Sequence, residues 1–164
     1  SSPKMIKGPD ILIKSLAKLK HEIENLFVLL VGPSRGYVIR ELKNLKIPFK
    51  HVVLADHRDI YKYYKMLDLY MITSREEGGP RALFESMICS IPVVTTNVGM
   101  AVDLVKHNVH GWKVESEDVE GLIFWSKYVY KKPIDLELIT KSGYELAKNN
   151  SCQFQKKLWE NFLK

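Results

Sequence analysis

The chain has 164 residues, 46% of them apolar and 27% charged, which suits one globular domain able to bury about 70% of its unfolded surface. Its longest apolar run, Leu26 to Val31, is far short of the ~20 residues a membrane-spanning helix needs. The net charge of +6 raises nucleic-acid binding, but Lys127, Lys131, Lys132, Lys141, Lys148, Lys156, Lys157 and Lys164 fall at helical surface spacings without interleaved stacking aromatics. They read as a solvated face, with an acidic membrane surface or an anionic acceptor as the functional alternative and no nucleic acid as a partner.

In chain order, Ser1 to Gly8 reads as the tail of something longer. Pro9-Asp10 opens a helix that carries Leu12, Leu16, Leu19 and Ile23 on one face through Glu24. Leu26 to Val31 is an apolar strand of the kind covered on both faces, and it ends in Gly32-Pro33-Ser34-Arg35-Gly36. A helix from Tyr37 to Leu45, a strand from Phe49 to Leu54, and a helix from Asp59 to Leu67 capped by Asp59 follow. Leu69 to Ile72 is a strand and a helix starts at Arg81. Pro92 to Thr95 is a strand, Met100 to Lys106 a helix, and Gly111 to Val114 a last short strand. The remainder is helical in three pieces, Val119 to Tyr130, Ile134 to Lys148 and Cys152 to Phe162. Strands alternating with helices imply an α/β chain: a Rossmann-like parallel sheet with helices on both faces, in one domain over 1–164.

Open parallel sheets bind ligands beyond the carboxyl ends of their strands. Four turns share that edge: Gly32 to Gly36, Ala55 to Arg58, Ser74 to Arg81 and Thr95 to Gly99. The third organises the chain. Between a buried strand and a helix, Gly78-Gly79-Pro80 aims free N–H groups and a helix N-terminus at one point, which suits a phosphate. Glu77 in the turn and Glu85 about one helical turn inside bracket it. Carboxylates repel phosphate, so these two suit hydroxyl groups beside the phosphates, a sugar on one side and a ribose on the other. Arg75 and Arg81 flank the turn, where a guanidinium would meet a diphosphate. His51 and His57 stand near strand ends, in positions more often structural than functional. Trp112, Trp125 and Trp159 fit core or domain-interface packing. No Asp-x-Asp motif or His/Asp cluster suggests a metal, and Cys89 and Cys152 lack metal-ligand spacing. Both read as reduced and packed, as in a cytoplasmic protein.

The run from Glu77 through Glu85 to Ser86-Met87-Ile88-Cys89-Ser90-Ile91-Pro92-Val93-Val94-Thr95-Thr96-Asn97-Val98-Gly99 resembles the donor-binding signature of glycosyltransferase family 4, the retaining enzymes of GT-B fold. The resemblance extends from Lys7-Gly8-Pro9-Asp10 to about Trp159. It implies the C-terminal, donor-binding half of an enzyme that moves a hexose-type sugar from a nucleoside-diphosphate sugar to a saccharide or lipid-linked glycan. By the same resemblance Lys7 holds the diphosphate, Glu77 faces the transferred sugar and Glu85 the ribose. Backbone N–H groups near Gly78, Gly79, Arg81 and Ala82 reach the diphosphate or sugar, Gly32 forms the second glycine turn, and His57 lies near the base.

The sequence departs from the family pattern at Pro80, where a glycine is common, at Met100, which replaces a glycine after Gly99, and at Asp103, which replaces a glutamate. The first strand and a Gly-Arg pair that precede Lys-Gly in full-length members are not in these 164 residues, and neither is the N-terminal acceptor domain. The resemblance therefore implies a nucleotide sugar and the missing domain as partners, no metal or other cofactor, a location in the cytoplasm or at a membrane surface, and no transfer by this domain alone. The rival reading is a non-catalytic nucleotide or sugar-phosphate binding module.

Overall fold

The computed structural model describes residues 5–79, 81–151 and 156. A 3₁₀ turn at Met5–Lys7 leads into α1 (Pro9–Leu19), β1 (Val28–Val31), α2 (Gly36–Asn44) and β2 (Phe49–Val52). A second 3₁₀ turn, His57–Asp59, precedes α3 (Ile60–Tyr64), β3 (Tyr70–Ile72), α4 (Arg81–Ile88) and β4 (Val93–Thr96). Then come α5 (Met100–Leu104), β5 (Trp112–Val114), α6 (Val119–Tyr130) and α7 (Leu136–Asn149). The expected alternation of strand and helix is present, and every strand pair is parallel. Parallel neighbours require crossovers, and the helices supply them.

The expected single sheet is instead two ladders, β1 with β2 and β3-β4-β5. Val28 registers with Phe49 in the first, while Tyr70 registers with Val93 and Val94 with Trp112 in the second. Central β4 is buried at all four positions, as its unbroken apolar and threonine pattern requires. What joins the ladders is α1. Its Ile11 packs with Val94, Trp112, Val114 and Leu122, and its Ile13 and Leu16 pack with Leu30, Val38 and Leu42. A third core, of Ile72, Leu83, Met87, Val93 and Ala147, lies beneath α4. Burying side chains of this size contributes roughly 1.5–3 kcal/mol each, so the position of α4 is set by Leu83 and Met87, exposed by 0% and 2%.

Several boundaries differ from the sequence reading. Helix α1 stops at Leu19, and the stretch to Asn25 is a series of turns in which Ile23 N–H still reaches Leu19 O. Asp59 holds the N-cap position of α3 as expected, but its side chain makes no capping bond there and takes Lys62 instead. Asp56 caps the preceding 3₁₀ turn, accepting from Arg58 N–H at 2.8 Å. Its side chain also takes Arg58 Nε, which explains why the chain tightens into a 3₁₀ turn before the helix proper. Helix α7 starts two residues later than expected, at Leu136. The expected helix from Cys152 to Phe162 and Trp159 fall outside the described residues, apart from Lys156, which is helical.

Candidate functional site

The segment entering α1 is fastened to the carboxyl end of β3. Thr73 Oγ1 donates to Lys7 O and Gly8 O, and Arg75 N–H donates to Ile6 O at 2.8 Å. Gly8 has φ +58 and a Cβ there would stand 1.8 Å from Thr73 O, so the approach needs a residue without a side chain. This fastening carries Lys7 to the organising turn. Lys7 Nζ donates to Glu77 Oε1 at 2.5 Å, and Ser74 Oγ donates to the same oxygen at 3.0 Å. Glu77 Oε2 has no hydrogen bond among the described residues. The Glu77 side chain is 15% exposed and that of Lys7 53%.

The loop after β4 closes the other side. Gly99, at φ +54, comes so near that a Cβ would sit 2.3 Å from Glu77 O and 2.9 Å from Gly78 O. Beside it the sulfur of Met100 lies 3.1 Å from where a Gly79 Cβ would be, while Gly79 itself is exposed. Gly78 faces open space. The Arg81 N–H donates to Gly79 O at 2.8 Å, so this expected phosphate donor is already engaged. Its guanidinium is exposed and makes no hydrogen bond or ion pair among the described residues. The N–H groups of Gly79 and Ala82 likewise make no bond among the described residues. Pro80 lies outside them.

Glu85, on α4, holds two protein partners. Tyr64 Oη donates to Oε2 at 3.1 Å and His57 Nε2 lies 3.4 Å from Oε1. Tyr64 is 5% exposed and its ring meets that of Tyr70 edge to face at 5.4 Å. Burial, then Tyr70 and Glu85, push the Tyr64 phenol far up, so it remains a neutral donor. Burial also pushes the Tyr70 phenol up; Tyr64 and the charge of Arg35 oppose this, and the charges of Glu85 and Glu77 reinforce it. Gly32, at φ +97, gives its carbonyl to His51 Nε2 at 2.9 Å, and Arg35 bonds Val31 O. His51 is thus tied to the Gly32 turn, while His57 is exposed and reaches only Glu85.

Arg75 turns away from the turn it flanks. Its guanidinium grips both Asp10 oxygens at 2.8 Å, Met5 O at 2.6 Å and the Glu117 carboxylate. Two donors from Arg75 hold the Asp10 carboxyl below its ordinary range. Sequence reasoning misses the roles of Asp10, Thr73 and Tyr64, because a first-turn aspartate, a strand-end threonine and a helical tyrosine carry no motif. Trp112 is fully buried and stacks with Trp125, as core residues do. Of the lysines, Lys127 pairs with Glu22 and Lys148 with Glu145, whereas Lys131, Lys132 and Lys141 are exposed. Burial raises the Cys89 thiol. Among the described residues no three His, Cys, Asp or Glu side chains converge as a metal site, and no helix is long and apolar enough to cross a membrane.

Lys7 and Glu77 are thus paired in the turn that leads into α4, Ala82 lies in the first turn of that helix, and Glu85 with His57 lies about one turn farther along it. Residues 3–145 match the family model described as glycosyl transferases group 1. The chain is 25% identical over 123 residues to the N-acetyl-alpha-D-glucosaminyl L-malate synthase of Bacillus anthracis, covering 74% of this chain and 32% of that protein. The chain thus spans about a third of the length of that curated relative. In fold it is similar to Anabaena HepE, whose crystal structure is a complex with UDP and glucose (TM-score 0.82, 22% identity, 99% of this chain and 46% of that one). It is also similar to the C-terminal domain of the group 1 family glycosyl transferase LpcC of Francisella tularensis (TM-score 0.75, 19% identity, 90% of this chain and 81% of that one).

Proposed function

The chain belongs to the group 1 glycosyl transferases and has the fold of a GT-B domain, and from that premise we propose that it is the donor-binding, C-terminal half of a retaining family 4 enzyme. The observation that carries this reading is the pairing of Lys7 with Glu77, 2.5 Å apart, in the turn that leads into α4. A cation, a carboxylate and unbonded N–H groups together suit a donor that is anionic at one end and hydroxylated at the other. UDP in HepE supports the nucleotide.

In this reading Lys7 and the N–H groups of Gly79 and Ala82 hold the diphosphate, and the exposed Arg81 guanidinium replaces its own engaged N–H. As the glycosidic bond breaks, negative charge grows on the leaving diphosphate, and fixed donors there stabilise the transition state more than the ground state. Glu77, whose Oε2 has no hydrogen bond among the described residues, accepts from hydroxyls of a hexose-type sugar. Glu85 accepts from the ribose diol after His57 yields Oε1. Lys7 and Arg81 neutralise the diphosphate without a metal ion. Gly32 and Gly78 leave room for the nucleotide.

The rest of the enzyme, an acceptor domain and a strand ahead of Lys7, belongs to the longer protein. That strand would run along the open edge of β3, because Ile6 O already takes the Arg75 N–H there. The acceptor is a saccharide or lipid-linked glycan, reached from the cytoplasm or a membrane surface, and this domain alone transfers nothing. Titrating the chain with UDP-, GDP- and ADP-sugars, and assaying transfer in the longer protein, tests the reading. Binding of one nucleotide with transfer only by the longer protein is expected. Binding without transfer by the longer protein would favour a non-catalytic module, and no binding at millimolar concentration would end the donor-site reading.

A further inference from the structure

Resting on the donor-site reading, we infer that Tyr64 is a positioning residue that fixes the Glu85 carboxylate for the ribose diol. A glutamate one turn inside a helix has several staggered rotamers, and only one aims it at a given pair of hydroxyls. Holding that rotamer before the ligand arrives removes an ordering cost from binding.

The two partners of Glu85 differ in kind. His57 belongs to an exposed 3₁₀ turn, its side chain is 62% exposed, and its 3.4 Å contact is long. A ribose hydroxyl can displace it. Tyr64 is 5% exposed, reaches Oε2 at 3.1 Å from the C-terminal residue of α3, and is wedged against Tyr70 on β3. It comes from the protein interior, so a ligand entering from the open edge does not compete with it. Its phenol, raised by burial, stays protonated and keeps donating. The result is a carboxylate anchored through Oε2 from behind, with Oε1 offered outward and the remaining lone pair of Oε2 available.

The test uses the nucleoside diphosphate that binds best and its 2′,3′-dideoxy analogue, titrated by calorimetry into the wild type, Tyr64→Phe, Glu85→Ala and the double variant. Tyr64→Phe keeps the buried ring. Its affinity for the ribonucleotide should fall about five- to tenfold while its affinity for the dideoxy analogue stays at the wild-type value, the scale of one ordinary hydrogen bond. In the Glu85→Ala background, Tyr64→Phe should add nothing, because coupled residues are not additive. Equal weakening of both nucleotides by Tyr64→Phe would make the residue merely structural and overturn the inference, as would unchanged discrimination. Should Glu85→Ala itself discriminate between the nucleotides as well as wild type, the ribose role of Glu85 falls, and Tyr64 with it. The Tyr64 inference alone fails when Glu85→Ala loses discrimination and Tyr64→Phe retains it.

Discussion

Lys7 Nζ lies 2.5 Å from Glu77 Oε1, so the cation that would hold the diphosphate is paired with the carboxylate that would hold the sugar. The pair is held by backbone, since Thr73 and Arg75 fasten the Lys7 segment and Gly99 packs on the Glu77–Gly78 carbonyls. A bound donor must share Lys7 between a phosphate and Glu77. The half-exposed ammonium can swing, and the mostly buried Glu77 carboxylate then keeps its hydrogen bonds through Ser74 and the sugar hydroxyls, so the exchange is offset.

Glu77→Gln therefore has opposite effects on two measurements. It releases Lys7, so affinity for a bare nucleoside diphosphate should stay the same or rise up to about fivefold. In the longer protein, kcat should fall by roughly 10²–10³, the scale of removing one preorganised electrostatic interaction from the transition state. Calorimetry and a turnover assay on the same variant check both. Affinity falling in step with turnover would place Glu77 on the nucleotide rather than the sugar.

Gly8→Ala should be severe. The residue would have to hold φ +58 and also place a methyl group 1.8 Å from Thr73 O, a backbone atom that cannot move without β3. Left-handed strain of about 1–2 kcal/mol and overpacking of about 1–3 kcal/mol together predict a loss of roughly 2–5 kcal/mol in denaturant unfolding. Gly36→Ala, where nothing lies within 4 Å, is the control and should stay within about 0.5 kcal/mol. Comparable losses in the two variants would show that the close approach at Gly8 is not what matters.

The turn from Ser74 to Arg81 is legible in the sequence because its chemistry is local: glycines, a carboxylate in the loop and another in the helix follow one another along the chain. The strand–helix alternation is legible for the same reason, since period and punctuation are local too. Asp59 sits at the α3 N-cap as read, yet the side-chain capping bond is made by Asp56 one turn earlier, because only the fold decides which side chain faces a free N–H. The division into two ladders is not legible, because pairing of β1 with β3 depends on what lies between them rather than on either strand's own residues. Tyr64 and Asp10 owe their roles to partners 21 and 65 residues away, Glu85 and Arg75, separations that no periodicity marks.

Asp10→Asn isolates the Arg75 clamp through pH. Arg75 holds the Asp10 carboxyl below its ordinary value of 3.8 in the folded chain, so the unfolded chain takes up the proton first as pH falls. The resulting stability is present above about 3.8 and disappears as pH falls through the lower folded value. Wild type should thus exceed Asp10→Asn by a constant margin at neutral pH, and the margin should shrink on acidification below pH 4. Thermal melts between pH 7 and pH 2 supply the comparison. A margin independent of pH would mean that Asp10 acts through packing alone.

Met100 stands with its sulfur 3.1 Å from the position a Gly79 Cβ would take. Gly79 is exposed and its N–H makes no bond among the described residues, so the bulk of Met100 beside it bears on how much room a diphosphate or sugar has there. Met100 is 39% exposed at the first position of α5, and removing it deletes little core packing. Met100→Gly should cost about 0.5–1 kcal/mol of stability through the freer backbone. It should at the same time raise affinity for nucleoside diphosphates and admit sugars with bulkier substituents. Met100→Leu, which keeps the volume, should do neither. Titration of both variants with the same nucleotide and its sugar conjugates separates steric bulk from helix stability. If Met100→Gly binds no better than Met100→Leu, the diphosphate does not pass over Gly79.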